Sequence, residues 1–113
     1  SGQPVTIVEF RTEGESEIEI PIPAGWCAGI YVMEGEIEAG ENHKGKPGWL
    51  VRYGMAGDAI SVKTVKPSHF LLLSGKPLFE PVVSHGPFVM NSKQEITQAL
   101  KDFEAGKMGT LKN

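Results

Sequence analysis

The segment from Gly75 to Asn91 has the sequence GKPLFEPVVSHGPFVMN and divides the chain into two parts with different hydrophobic periods. Before it, glycines and prolines interrupt short runs of strand length, and after it apolar residues recur with the period of a helix. Within it, Lys76 and Glu80 each precede a proline, which disfavours the helical region of the backbone and keeps the chain extended. The segment therefore predicts a change from a β-rich body to a terminal helix.

One amphipathic helix is predicted directly after this segment. Its apolar stripe, at positions i, i+3, i+4 and i+7, consists of Ile96, Ala99, Leu100 and Phe103. Ser92 and Glu95 form a capping box at its start, and Gly106 is placed to end it. The predicted helix thus covers about residues 92–106. A helix of this length is marginal alone in water, so the stripe must cover either the chain's own sheet or a partner domain.

The part before this segment predicts an all-β fold. Runs of strand length occupy residues 5–10, 17–22, 28–33, 35–39, 49–53, 59–64 and 69–74, with a further short run at 82–84. In the second run, Ile18, Ile20 and Ile22 face one side while Glu17 and Glu19 face the other, as in a half-buried strand. Such strands, with turns every eight to twelve residues or so, favour a jelly-roll β-sandwich or barrel.

Two connections and the domain organisation follow from composition. Glu34-Gly35 indicates a tight turn, and residues 40–48, which contain no apolar side chain, are predicted to form a surface loop. The chain of 113 residues is large enough for one hydrophobic core. We therefore expect a single domain over 1–113, with a β-sandwich over about 4–90 and a C-terminal α-helix over about 92–106.

The segment that opens this description also resembles the end of a known family, the pirins. The residues that carry the match are Gly75, Pro77, Glu80, Pro81, His85, Gly86, Pro87, Phe88, Val89, Met90 and Asn91. It continues into the helix through Glu95-Ile96, Gln98-Ala99, Asp102-Phe103 and Gly106, and spans 75–109 in all. Phe103 is a small departure, since the family more often has Tyr there.

Pirins are cupin proteins, usually built from two similar β-barrel halves, and this chain resembles the C-terminal half. The resemblance implies a cupin β-sandwich, also called a double-stranded β-helix. It also implies a separate N-terminal cupin half that binds iron or another transition metal. Activities described for the family include quercetin 2,3-dioxygenase and, in eukaryotes, transcriptional co-regulation.

The histidines of this chain do not follow the metal-binding pattern of cupin enzymes. Those enzymes use a His-x-His pair on one strand, a carboxylate a few residues later and a third histidine on a distant strand. The three histidines here are His43, His69 and His85, and no His-x-His pair exists. We therefore expect no catalytic residue, metal ligand or cofactor in this chain, and a structural role is favoured for each histidine. His85 has the best claim to a function because it lies in the family segment.

Other residues favour structural roles or an interface. The glutamates that alternate over 13–19 and 34–38 are typical of the solvent face of a sandwich. Cys27 lies in an apolar run and is interpreted as a small buried side chain. Phe88, Val89 and Met90 form an apolar stretch that we expect to be exposed. The predicted interface consists of Phe88, Val89, Met90, Ile96, Leu100 and Phe103.

The sequence therefore predicts a non-catalytic, metal-free structural and interaction module. Its expected partner is a second copy, most simply in a two-fold dimer or by exchange of the strand at 5–10, or an N-terminal cupin half. Two alternatives stay open. One is a pirin-like metal-dependent dioxygenase, as part of a longer protein or standing alone with a site built from the histidines; the other is a cupin that binds a small molecule without metal.

Charge and hydropathy bear on other partners and on location. The formal net charge is −3 and the eleven Lys and Arg residues are scattered, so no direct nucleic-acid binding is expected. No apolar run is long enough to span a bilayer. With one cysteine, no internal disulfide can form. We expect a soluble, cytoplasmic protein, also nuclear if the source is eukaryotic.

Overall fold

The computed structural model describes residues 5–40, 42–55, 59–75 and 87–107, and the backbone alone at 5, 54, 55 and 102–107. The strands are β1 (Val5–Thr12), β2 (Ser16–Pro21), β3 (Cys27–Glu34), β4 (Ile37–Glu38), β5 (Lys44–Gly45), β6 (Leu50–Met55), β7 (Ala59–Thr64), β8 (Ser68–Gly75) and β9 (Phe88–Met90). They are followed by the helix α1 (Lys93–Lys107).

The strands form two antiparallel sheets. The five-stranded sheet has the order β1-β8-β3-β6-β9 and the four-stranded sheet has the order β2-β7-β4-β5. From β1 to β8 the chain passes repeatedly from one sheet to the other, and among these described strands β4 and β5 are the one consecutive pair that shares a sheet. This is the double-stranded arrangement of a jelly roll, and the predicted all-β class with one C-terminal helix is confirmed.

The main core lies between the two sheets. Ile30 and Val32 of the five-stranded sheet face Ile20 and Val62 of the other, and all four are buried. Phe70 is fully buried and stacks on Phe10, with ring centroids 5.2 Å apart. The isoleucines of β2 thus face inward while its glutamates face solvent, as the alternation predicted.

The helix covers the outer face of the five-stranded sheet. Ile96 and Ala99 are buried there in a second apolar cluster, together with Cys27, Leu50 and Leu73. Ser92 is the N-cap, because its Oγ accepts a hydrogen bond from the Glu95 amide at 3.0 Å. Among the described residues, no helix is long and apolar enough to cross a membrane.

The helix differs from the sequence expectation in two respects. It continues through Gly106 to Lys107, so Gly106 does not end it. Leu100 keeps 37% of its surface exposed although it belongs to the predicted stripe. A helix turns 3.6 residues per cycle, so the burial centred on Ile96 and Ala99 leaves Leu100 at the margin of the contact. The side chain of Phe103 lies outside the described residues.

Two further segments depart from their predicted structure. Residues 88–90 form β9, which pairs with β6, and not a free apolar stretch. Part of the predicted loop at 40–48 forms β5, in which Gly45 is buried. An added Cβ at Gly45 would lie 2.9 to 3.2 Å from side-chain atoms of Val51, Val32 and Ile37. Because glycine has no side chain, the backbone at Gly45 can pack inside the core. A loop composition without apolar side chains gives no sign of this burial. The predicted strand at 82–84 lies outside the described residues.

Candidate functional site

Polar and charged side chains meet on the outer face of the five-stranded sheet around His69. On β8, His69 is paired with Arg11 of β1 on one side and with Glu34 of β3 on the other. Its Nε2 lies 2.5 Å from Oε2 of Glu9, and its Nδ1 lies 4.0 Å from Oε1 of Glu34. Arg11 Nη2 is 3.5 Å from the same oxygen of Glu9. These four residues are the His69 cluster below.

In the His69 cluster the imidazole is buried and the charged side chains around it are exposed. The His69 side chain is 10% exposed, whereas those of Glu9 and Glu34 are 55% and 74% exposed. A neutral imidazole has one N–H and donates to one carboxylate, here Glu9, while a protonated ring donates from both nitrogens. In either state the ring ties the edge strand β1 to β8, and its second nitrogen faces the acid on β3. The arrangement is that of a structural contact that holds β1 against β8.

The donors of the His69 cluster do not fit a metal ion. Ligating nitrogens and oxygens must converge on one point at about 2.0–2.2 Å for zinc and similar ions. Here the two carboxylates approach opposite nitrogens of a single ring, so their oxygens lie on opposite sides of it. In the ranges that the structure describes, no group of three or more His, Cys, Asp or Glu side chains is arranged to hold a metal.

A tight corner between β3 and β8 positions His69. Gly35 follows β3 with φ of 82°, and a Cβ there would lie 2.3 Å from Ser68 Oγ and 2.4 Å from the Pro67 carbonyl oxygen. The Glu36 amide donates to Ser68 Oγ at 3.1 Å, and the Ser68 amide donates to Thr12 Oγ1 at 3.2 Å. These bonds hold the start of β8 between β3 and β1. The predicted turn at Glu34-Gly35 is present.

The other two histidines are not brought to His69 within the described structure. His43 lies just before β5, which belongs to the four-stranded sheet, and its carbonyl oxygen accepts a bond from the Ala39 amide at 2.8 Å. Its Nδ1 is buried without a hydrogen-bond partner in the described part of the chain. His85, like Pro77, Glu80, Pro81 and Gly86 of the family segment, lies outside the described residues.

The predicted interface residues divide between surface and core. Phe88 is 50% exposed, but Val89 packs against the core between the sheets and Met90 packs beneath the helix. The expectation of three exposed residues is therefore wrong for Val89 and Met90. Pairing of β9 with β6 turns Val89 toward the core between the sheets, while Met90 lies on the opposite face, where the helix partly covers it. Ile96 is buried under the helix. Of the six candidates, Phe88 and Leu100 remain available to a partner, and the side chain of Phe103 is not described.

Sequence reasoning missed two exposed apolar side chains on β1. Ile7 is 58% exposed and Val8 is 38% exposed, on opposite faces of the strand. It also missed the pairing of Glu9 with His69, which are sixty positions apart. The β-branched run at 5–10 predicted a strand, but only the order of the described strands shows that it lies at an edge of its sheet there.

Cys27 is a free thiol under the helix, as interpreted from the sequence. Burial raises the pKa of the Cys27 thiol, and the nearby Arg52 guanidinium opposes that shift with a smaller effect. Burial likewise raises the pKa of Tyr53, whose hydroxyl donates to the Ser61 carbonyl at 3.2 Å. Neither group is prepared for nucleophilic chemistry near neutral pH, because both are held in the protonated form.

Comparisons with known proteins agree with this architecture. The protein-family model of the pirin C-terminal cupin domain matches residues 7–109. The chain is 40% identical to pirin from Mus musculus over 94% of its length, and 40% identical to a pirin-like protein from Solanum lycopersicum over the same share. It spans 38% of each of those proteins. A crystal structure of quercetin 2,3-dioxygenase from Acinetobacter baumannii superposes with a TM-score of 0.63 at 29% identity, over 95% of this chain and 37% of that one.

Proposed function

Since the chain belongs to the pirin C-terminal cupin domain family, we propose that it is a non-catalytic structural and interaction module that binds a second cupin domain. The observation that carries the proposal is the His69 cluster. His69 faces outward from the sandwich and is bonded to Glu9, so its imidazole does not enter the interior between the sheets. The cupin fold is therefore built here around an apolar interior, with Phe70 and Phe10 stacked inside it.

The partner we propose is an N-terminal cupin half of the pirin type or a second copy of this chain. Support comes from the share of the relatives that the chain covers, 38%, which leaves room in those proteins for another domain of similar size. It also comes from large apolar side chains that the fold leaves exposed, among them Phe88, Leu100 and Ile7. We place this function in the cytoplasm, where a free thiol such as Cys27 stays reduced.

Metal analysis tests the proposal that this chain is not a catalyst. We expect protein purified without an affinity tag to contain far less than one equivalent of iron, manganese, nickel or copper. We also expect no oxygen uptake with quercetin above a control without protein. A near-equimolar metal content that disappears in His69→Ala, but not in the surface control Glu17→Ala, would support the dioxygenase alternative instead.

Light scattering after size exclusion tests the proposal that this chain associates with a partner. We expect the 113-residue chain to elute with about twice its 12.2 kDa mass at micromolar concentration and to dissociate on dilution. A mass of 12.2 kDa at every concentration, together with no binding to a separately produced N-terminal half of a pirin, would contradict the interaction role.

A further inference from the structure

The two sheets have four edges in the described part of the chain, and three of them are poor sites for strand pairing. At the edges, β9 has three residues and β5 has two, which is too short to direct pairing. On β2, Glu17 and Glu19 are exposed and Pro21 ends the strand. Like charges and proline are the usual protections of an edge, because two copies of such a strand repel each other.

The fourth edge, β1, lacks these protections. It has eight residues and no proline, and among the described residues it pairs with β8 alone. Ile7 and Val8 expose apolar surface on its two faces. A long, exposed and partly apolar edge is the kind that accepts another strand.

The two charges on β1 do not repel a second copy. Glu9 is drawn back toward its own sheet by His69 at 2.5 Å and is also paired with Arg11 at 3.5 Å. One negative and one positive side chain leave the outer face of the strand without net charge. Because the charge of Glu9 is paired within the His69 cluster, it does not repel a strand that approaches the free edge near Val8.

We propose that β1 pairs antiparallel with β1 of a second copy, so that two five-stranded sheets join across a two-fold axis at Val8. The inference rests on the proposed function in one respect, that the chain associates with itself. With the axis at Val8, residues 5–11 are all paired. Val8 then faces Val8 of the second copy, and Ile7 faces its Glu9.

Other registers are less favourable. An axis at Glu9 would place the two Glu9 carboxylates directly opposite each other, which destabilises a strand pair. An axis at Ile7 or at Phe10 shortens the overlap to five residues, and the latter leaves Ile7 outside it. Antiparallel pairing about one axis is also closed, so it yields a dimer and not a fibre.

The first test compares three charge substitutions by size exclusion with light scattering. Val8→Lys places two ammonium groups opposite each other, so we expect the dissociation constant of the dimer to rise about tenfold or more. Val65→Lys is the matched control, since Val65 is 51% exposed and lies after β7, outside the proposed β1 pairing of residues 5–11. We expect the control to dimerise like the parent chain. A third variant, Phe88→Lys, tests the other exposed apolar surface, and we expect it to dimerise as well.

The second test is a crosslink that needs no disruptive substitution. Val8→Cys should form a disulfide-linked dimer on mild oxidation, because facing residues of an antiparallel pair lie within disulfide reach, about 4.5–5.5 Å between Cα atoms. Val65→Cys should not, and neither should the parent chain, whose Cys27 is buried. Melting curves of each variant confirm that it is folded before its mass is interpreted.

The outcomes separate the edge inference from the proposed function. Suppose that the parent chain dimerises, but Val8→Lys has no effect and Val8→Cys does not crosslink. The inference that β1 forms the interface is then wrong, while self-association stands. Dissociation of the dimer by Phe88→Lys would in that case assign the interface to the surface around Phe88. If the parent is monomeric at all concentrations, self-association fails and the edge inference fails with it.

Discussion

Gly35 offers the sharpest test of the corner that holds the His69 cluster, through the substitution Gly35→Ala. Two costs are combined at this position. Alanine would have to adopt φ of 82°, and its Cβ would lie 2.3 Å from Ser68 Oγ and 2.4 Å from the Pro67 carbonyl oxygen. Gly25 has φ of 84° with no atom within 4 Å of an added Cβ, and Gly14 has neither constraint. The three alanine variants therefore form a series in which the two costs are added one at a time.

The magnitudes follow from the geometry. A non-glycine residue in this left-handed region costs about 1–3 kcal/mol. Relief of the contact with Pro67 requires the two segments to move apart by about 1 Å. That movement breaks the bond from the Glu36 amide to Ser68, which leaves polar groups unpaired at a cost of about 1–3 kcal/mol. We therefore expect a loss of about 2–6 kcal/mol for Gly35→Ala, about 1–3 for Gly25→Ala and about zero for Gly14→Ala.

Chemical denaturation provides the assay, with the free energy of unfolding extrapolated to water and the slope compared among variants. Reduced backbone freedom in the unfolded chain stabilises all three alanine variants alike, so it cancels in their differences. A domain of this size is stable by about 5–15 kcal/mol, and Gly35→Ala should remove a large part of that. If Gly35→Ala and Gly25→Ala agree within about 0.5 kcal/mol, the close approach of Gly35 to Pro67 is absent and the reasoning is refuted.

Three other predictions concern the helix and the buried ionisable groups. Removing the N-cap with Ser92→Ala should cost about 1 kcal/mol in the free energy of unfolding, and an unchanged value would contradict the cap. Ile96→Ala should cost about 2–5 kcal/mol and Leu100→Ala clearly less, since Ile96 is 8% and Leu100 is 37% exposed; equal losses would show that the helix is not docked on the Ile96 side. Because burial raises the pKa of Cys27 and of Tyr53, unfolding releases protons at alkaline pH, and stability should fall as pH rises above the ordinary thiol pKa of 9.0. The fall should be smaller in Cys27→Ala, and an identical pH dependence in that variant would exclude the thiol as a source.

Much of the fold could be predicted because its signals are local. The alternation of Ile18, Ile20 and Ile22 fixes which face of β2 is inward. The capping box at Ser92 fixes where the helix begins, and the structure shows its hydrogen bond. The class also followed from the family segment, and the model of the pirin C-terminal cupin domain matches residues 7–109.

The site could not be predicted in the same way, because its contacts depend on register between distant strands. Glu9 meets His69 only because β1 pairs with β8 in one particular register. The irregularity between Val32 and Glu34 then brings Glu34 opposite His69 on the other side. Val89 and Met90 were expected at the surface because an isolated apolar run of three residues carries no sign of its pairing with β6.

The direction in which His69 faces is fixed by the packing of the strand that carries it. Side chains alternate across a strand, so His69 faces outward while its neighbour Phe70 is fully buried inside the sandwich. A shift of β8 by one residue would direct the imidazole inward, but it would also expel Phe70 from the core and break its stack with Phe10. The apolar core therefore fixes the histidine on the outer face, where it holds β1 through Glu9. An inward His69 would thus cost the stacked aromatic pair of the core, whereas the outward imidazole adds a contact that holds the first strand on the sheet.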